Sequence, residues 1–226
     1  MAYLGRYYRT YALDFWGFGE SGKKRETYAV QDFVSLVDQF MDQLGIVHAP
    51  LVGHSMGGTV SLSVAINYPQ RATKVVVVGS PIAGSSLAWP LKWAGYRPIA
   101  FMLFNVMGLF RTGVRVASPF ICRDPRFPDM MDRDLSRTTV ESFLLSIASL
   151  RRTDLRPDLD KINIPVMGMY GDKDNIVHPT QWRPLKFGVG NSHTERFPKA
   201  GHFIMLDEPQ AFINTLKSFL DEEFPA

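Results

Sequence analysis

The chain has 226 residues, 46% hydrophobic and 21% charged, enough for one large domain or two small ones with a real core. Its 16 Phe, 8 Tyr and 4 Trp exclude disorder, the lone Cys122 excludes a disulfide scaffold, and no apolar run approaches the length of a bilayer-spanning helix. A net charge of +3 spread along the chain argues against a nucleic-acid partner; the lone cysteine and the absence of a basic-then-apolar leader point to a cytoplasmic setting.

In chain order, residues 8–15 (YRTYALDF) read as a strand, closed by a glycine-rich turn at 16–22. A helix follows over 29–44, because Val30, Phe33, Val34, Val37, Phe40, Met41 and Leu44 recur at the spacing of one buried face. Gly45 is placed to cap it. Residues 51–54 form a short strand after Pro50, and 56–68 a helix rich in small residues, stopped by Pro69. Four consecutive valines mark 74–78 as a strand buried on both faces, and 164–170 (IPVMGMY) as another. Residues 194–197 give a last short strand and 208–220 a closing amphipathic helix. Strands alternating with helices predict an α/β fold, a mostly parallel sheet with helices on both faces. Residues 81–160 differ in texture, with helical apolar stretches, seven prolines and no convincing strand. They read as a helical cap inserted over the carboxyl ends of the strands, leaving 1–80 and 161–226 as the core.

Gly53-His54-Ser55-Met56-Gly57 matches G-x-S-x-G between an apolar strand and a helix. A serine on so sharp a turn has a strained backbone, and side chains two residues either way are expected to collide; Gly53 and Gly57 would remove those collisions and Gly58 would let the helix pack close. Ser55 is therefore the candidate nucleophile. It needs a base and an orienting acid, which this strand–turn–helix arrangement supplies in the order serine, acid, histidine. Gly171-Asp172-Lys173-Asp174 follows one strand and Ala200-Gly201-His202-Phe203 the last, on the same rim as Ser55. His202 is the candidate base. Asp174 is preferred as the acid over Asp172, which lies closer to the strand and would serve the turn, with pairing geometry to decide. Of the other histidines, His48 falls on the opposite rim, His54 is expected to point away from the site, His178 to cap a helix and His193 to start a strand.

Four segments, Asp14-Phe15-Trp16-Gly17-Phe18-Gly19-Glu20-Ser21, Gly53-His54-Ser55-Met56-Gly57-Gly58, Gly171-Asp172-Lys173-Asp174-Asn175-Ile176-Val177, and Ala200-Gly201-His202-Phe203 with Glu208-Pro209, together resemble the α/β-hydrolase fold family over nearly the whole chain. The resemblance implies Ser55 as nucleophile, His202 as base, Asp174 as acid and the Met56 N–H as one oxyanion donor, with no metal or organic cofactor. It also implies that the glycines at 17, 19 and 22 make a structural bend, although they match a dinucleotide-binding pattern. The polar residues that follow, with no helix until about Ala29, speak against a nucleotide there. Against the family's eight strands the chain shows about five and begins where the fourth begins. On this reading a strand is missing from mid-sheet with the loop carrying the second oxyanion donor, Met1 is an internal methionine, and the chain alone is poorly active or completed by another.

The expected activity is serine hydrolysis of an ester or thioester of an apolar, small to medium acyl compound through an acyl-enzyme. The same three residues would serve a C–C bond hydrolase or a cofactor-free perhydrolase, while Ser55 speaks against epoxide hydrolases and dehalogenases, which usually carry an aspartate nucleophile. A catalytically silent binding protein stays open if the missing strands are truly absent. In the cap, residues 99–110 are the most apolar stretch, and 81–133 carry Lys92, Arg97, Arg111, Arg115, Arg123, Arg126 and Arg133 against Asp124, Asp129 and Asp132. A packed lid with solvated arginines is the plain reading; an acyl-pocket roof that touches an anionic membrane surface is the sharper one. The sequence does not define an oligomeric state.

Overall fold

Val75, Val76, Val77 and Val78 are each 1% exposed or less, at the centre of a computed structural model that describes residues 3–23, 27–94 and 107–224. They belong to β2 (Ala72–Val78), which pairs in parallel with β1 (Ala49–His54) on one side and β3 (Val166–Gly171) on the other; β4 (Ser192–Phe197) extends the sheet beyond β3. Alternate valines face opposite ways, as strand geometry requires. Val75 and Val77 pack with Leu62 and Ala65 of α2 (Met56–Asn67), and with Leu159 and Leu185. Val76 and Val78 pack with Phe197 and with Leu216 and Phe219 of α9 (Pro209–Asp221). With both faces covered, the strand needs no polar alternation, and the expected parallel sheet between helix layers is present.

The stripe predicted for the first helix forms α1 (Val30–Gln43), whose Val30, Phe33 and Val34 meet Val60 and Val64 of α2. Its end is a Schellman motif: Gly45 adopts φ +66°, the Gly45 N–H donates to Asp42 O at 3.0 Å, and the Ile46 N–H donates to Met41 O at 2.8 Å. The bend at 16–22 is held by Asp14. Its Oδ2 accepts the Glu20 N–H at 3.0 Å, and a Cβ on Gly19 would come within 2.1 Å of that carboxylate. An acidic side chain thus fills the loop that would have to cradle a phosphate.

The strand expected at 8–15 does not form, and these residues have no regular secondary structure. A strand gains its stability from a ladder partner, and none is within reach. The outer edge of β1 pairs with no strand among the described residues, Val52 is 47% exposed, and a cavity of about 1240 Å³ has Tyr8 to Phe15 on one side and β1 on the other. Two aromatic rings of the segment lie on α1 instead. Phe15 stacks on Phe33 at 4.6 Å between centroids, and Tyr11 meets the edge of Phe40 at 6.0 Å. Tyr8 hydrogen-bonds Asp221 at the end of α9.

The described part of 81–160 is helical, with α3 (Trp89–Ala94), α4 (Met107–Ile121), α5 (Phe127–Ser136) and α6 (Val140–Arg152). Helix α6 joins the core, with Ile147 and Leu150 against α1, the Ser149 hydroxyl accepting the Val30 N–H at 3.0 Å, and the Ser142 hydroxyl donating to Gly17 O at 2.9 Å. The side chains of the apolar stretch 99–110, of Arg97 and of Arg111 lie outside the described residues. Of the other arginines there, Arg126 pairs with Asp124 at 2.6 Å and Arg115 with Asp129 at 3.6 Å. No helix among the described residues is long and apolar enough to cross a membrane. The described residues include two further α-helices, α7 (Trp182–Gly188) and α8 (Ile204–Asp207).

Candidate active site

Ser55 sits between the last residue of β1 and the first of α2, with φ +53° and ψ −122°. It is the only non-glycine at positive φ among the described residues, the kind of strain that persists only where surrounding structure enforces it. The enforcement is visible in the backbone. The Ser55 N–H donates to Val78 O at 2.8 Å, and Ser55 O accepts the Gly58 N–H at 3.0 Å, pinning the corner to both β2 and α2.

The glycines around it divide differently from expectation. A Cβ on Gly53 would lie 2.2–2.3 Å from the backbone of Gly57 and Gly58, and one on Gly58 would lie 2.0 Å from the Ser80 hydroxyl. At Gly57 nothing comes within 4 Å of the added carbon. This position lines the cavity, so the expected collision has no partner there. Gly53→Ala should therefore cost about 3 kcal/mol, the upper end of overpacking. Gly57→Ala, inside a helix, should be neutral or stabilising by up to about 1 kcal/mol. Denaturation midpoints of the two variants check the contrast; equal losses would show that the open space at Gly57 is not real.

Carboxyl strand ends deliver the remaining groups to the same rim. Asp174, in the loop after β3, is 8% exposed and His202, after β4, is 3% exposed. The two are joined by a hydrogen bond of 2.8 Å from His202 Nδ1 to Asp174 Oδ2. The other carboxylate oxygen, Oδ1, accepts the N–H groups of Ile176 at 2.8 Å and Val177 at 2.9 Å, so the carboxylate is oriented by the backbone before it meets the imidazole. Asp172 is occupied elsewhere, pairing with Arg196 at 2.8 Å. Gly79, at φ +56° just after β2, makes room for the pair, since a Cβ there would stand 3.2 Å from His202 Nδ1 and 3.4 Å from Asp174 Oδ2. Met56 is the first residue of α2, where backbone N–H groups have no acceptor within the helix.

The remaining histidines separate by position. His48 is exposed before β1, His178 caps a short turn, with its Nδ1 accepting the Thr180 N–H at 3.4 Å, and His193 lies within β4 against Phe219. His54 departs from expectation. It faces the loop that bears His202, with its Nε2 3.0 Å from His202 O and its ring 4.7 Å from that of His202. Burial first, and then the charge of the neighbouring imidazole, pushes its protonation down to about 3. Alternation along β1 gives the side on which the ring emerges, but nothing local to the strand shows that the loop after β4 arrives on that side.

Asp207 is a second residue the sequence did not single out. One of its oxygens accepts the Gly201 N–H at 2.7 Å and the other the Arg123 N–H at 3.1 Å, fastening the loop that bears His202 to the end of α4. Its place five residues after His202 is the only sequence signal, and it carries little by itself.

Beside Ser55 the cavity is walled by Met56, Leu87, Leu91, Phe143 and Ile147. Among its described lining residues the only Lys or Arg is Arg9, on the N-terminal segment, with its guanidinium 5.6 Å from the centre of the Tyr11 ring. No group of three or more potential metal-ligating side chains occurs among the described residues.

This geometry agrees with three kinds of similarity to known proteins. Residues 1–215 match the model of the alpha/beta hydrolase family. The chain is 26% identical over 227 aligned positions to 3-oxoadipate enol-lactonase 2 of Acinetobacter baylyi, covering 97% of this chain and 81% of the relative. It is also 26% identical to a 2-hydroxy-6-oxononadienedioate/2-hydroxy-6-oxononatrienedioate hydrolase of Paraburkholderia phymatum, covering 98% of this chain and 79% of that one. Among solved structures, an esterase of Exiguobacterium antarcticum superposes with a TM-score of 0.78 at 22% identity, over 92% of this chain and 80% of the esterase. At that identity the superposition speaks for the fold.

Proposed function

Because the chain belongs to the alpha/beta hydrolase family, we propose that it is a serine hydrolase whose nucleophile, base and acid are Ser55, His202 and Asp174, acting on an ester or thioester of an apolar, small to medium acyl compound. The observation that carries this reading is the buried Asp174–His202 hydrogen bond of 2.8 Å on the same rim as a serine held at φ +53°. Residues 1–80 and 161–226 form the core in this reading, and 81–160 the cap over the acyl site.

The Ser55 hydroxyl attacks the acyl carbon while its proton passes to His202 Nε2, and the Met56 N–H donates to the developing oxyanion. Collapse of the tetrahedral intermediate breaks the bond to the leaving alcohol or thiol, which takes the proton back from His202. Water then attacks the acyl carbon, giving a proton to His202, which returns it to Ser55 Oγ as the bond to the acyl group breaks and the acid leaves. Asp174 keeps its charge throughout. It holds the proton on His202 Nδ1, leaves Nε2 free to accept, and stabilises the imidazolium that forms at each half-reaction.

The apolar walls beside Ser55 favour an apolar acyl group, and the enol-lactonase relative is named for an ester bond closed into a ring. C–C bond hydrolysis by the same three residues is the second reading, favoured by the relative from Paraburkholderia phymatum. Labelling with a fluorophosphonate, followed by peptide mass spectrometry, is expected to find one adduct per chain, on Ser55. An adduct elsewhere, or none while the protein turns over an ester, would overturn the assignment.

A further inference from the structure

The loop that bears His202 leaves β4, at one edge of the described sheet, whereas Ser55 follows β1 at the other edge. Nucleophile and base therefore meet only because the loop crosses the carboxyl ends of β3 and β2, and its height over that rim decides whether the imidazole reaches the hydroxyl. Each intervening strand touches the crossing. After β3, Asp174 holds His202 Nδ1 at 2.8 Å, and after β2, Gly79 leaves a gap in which even one carbon would stand 3.3 Å from His202 O. The contact from β1, the strand that carries the nucleophile, is made by His54.

Resting on the reading of Ser55 and His202 given above, we propose that His54 is a positioning residue that sets the base against the nucleophile through its bond to the His202 carbonyl. His202 O can only accept, so the 3.0 Å contact requires the proton of His54 to be on Nε2, with Nδ1 bare. The bond goes to the backbone of residue 202 and leaves its ring free to take and return a proton. His54 and Ser55 are consecutive, with Cα atoms about 3.8 Å apart, so one hydrogen bond ties the nucleophile's own strand to the backbone of the base. The contact is packed by neighbouring rings. The His54 ring lies 4.7 Å from that of His202 and 5.0 Å from that of Phe203, which restricts sideways drift of the loop. The neutrality of His54 suits this place, since a second cation there would oppose the imidazolium formed on His202 in each half-reaction.

The test compares wild type, His54→Phe, which keeps a ring and loses the donor, His54→Gln, which keeps an N–H donor, and Ser55→Ala. The measurements are the second-order rate of fluorophosphonate labelling, and kcat and KM for p-nitrophenyl butyrate. His54→Phe is expected to lower the labelling rate and kcat by about 10- to 100-fold, the cost of a small misplacement of reacting groups, with KM within about twofold of wild type. His54→Gln is expected to recover most of that loss. A merely structural role would move melting temperature and leave the kcat-to-KM split and the Gln rescue without pattern. His54→Phe at the wild-type rate, His54→Gln as slow as His54→Phe, or an effect confined to KM would each overturn the proposal while Ser55→Ala stays inert. Labelling that persists in Ser55→Ala would overturn the serine assignment, and this inference with it. Should His54→Phe not fold, His54→Ala against His54→Gln makes the same comparison.

Discussion

Ser55→Ala is expected to lower ester turnover by about 10⁶-fold, the loss seen when the nucleophile of such a triad is removed, while melting stays within a few degrees of wild type. The two halves of this prediction follow from different atoms. On the proposed mechanism turnover depends on Oγ, which alanine lacks and for which water, unheld and without a covalent intermediate, is a poor replacement. Folding depends on the main chain. The bonds from Ser55 N–H to Val78 O and from the Gly58 N–H to Ser55 O do not involve the hydroxyl, and alanine meets the same steric restriction at φ +53° that serine does. Ester hydrolysis and a thermal melt on the same preparation check it. Residual turnover within 100-fold of wild type would mean that another group attacks the carbonyl.

Asp174→Asn carries the second largest expected effect, a fall in kcat of about 10⁴-fold with little change in KM. The argument turns on which way an amide would have to face. Oδ1 of Asp174 accepts two backbone N–H groups, from Ile176 and Val177, so the amide oxygen of an asparagine must take that side. Its NH₂ then points at His202 Nδ1, which must become the acceptor. The histidine proton moves to Nε2, and the atom that should receive the Ser55 proton is already protonated. Asp172→Asn, at the carboxylate paired with Arg196 on a partly exposed surface, should change kcat by less than about threefold. If the two variants lose activity equally, the acid has been assigned to the wrong aspartate.

The contrast between these two aspartates shows how much of the site is legible in the sequence. Both stand in one tetrapeptide after one strand. Chain order and spacing bring either of them to the rim, and the preference for Asp174 rested on its distance from the strand end. The bond to His202 spans 28 positions of sequence, so it depends on where the loop after β4 comes down. His54 shows the same dependence over 148 positions. Reading along β1 gives the side on which its ring emerges, but the group waiting there belongs to the other edge of the sheet.

What the sequence determined by itself were the features set by interactions within a few residues. The apolar stripe of α1 and its cap at Gly45, the four valines of β2 and the Gly53–Ser55 corner are all local, because periodicity, backbone sterics and turn chemistry act at short range. The rest was set by packing between segments far apart in the chain. It left residues 8–15 without a ladder partner and laid the rings of Tyr11 and Phe15 on α1, gave Gly57 open space where a collision was expected, separated Asp174 from Asp172, and turned His54 toward the loop that bears His202. In each case the outcome depends on a neighbour distant in the chain. A residue's own propensity can say what it is able to do, and only packing supplies the group it does it with.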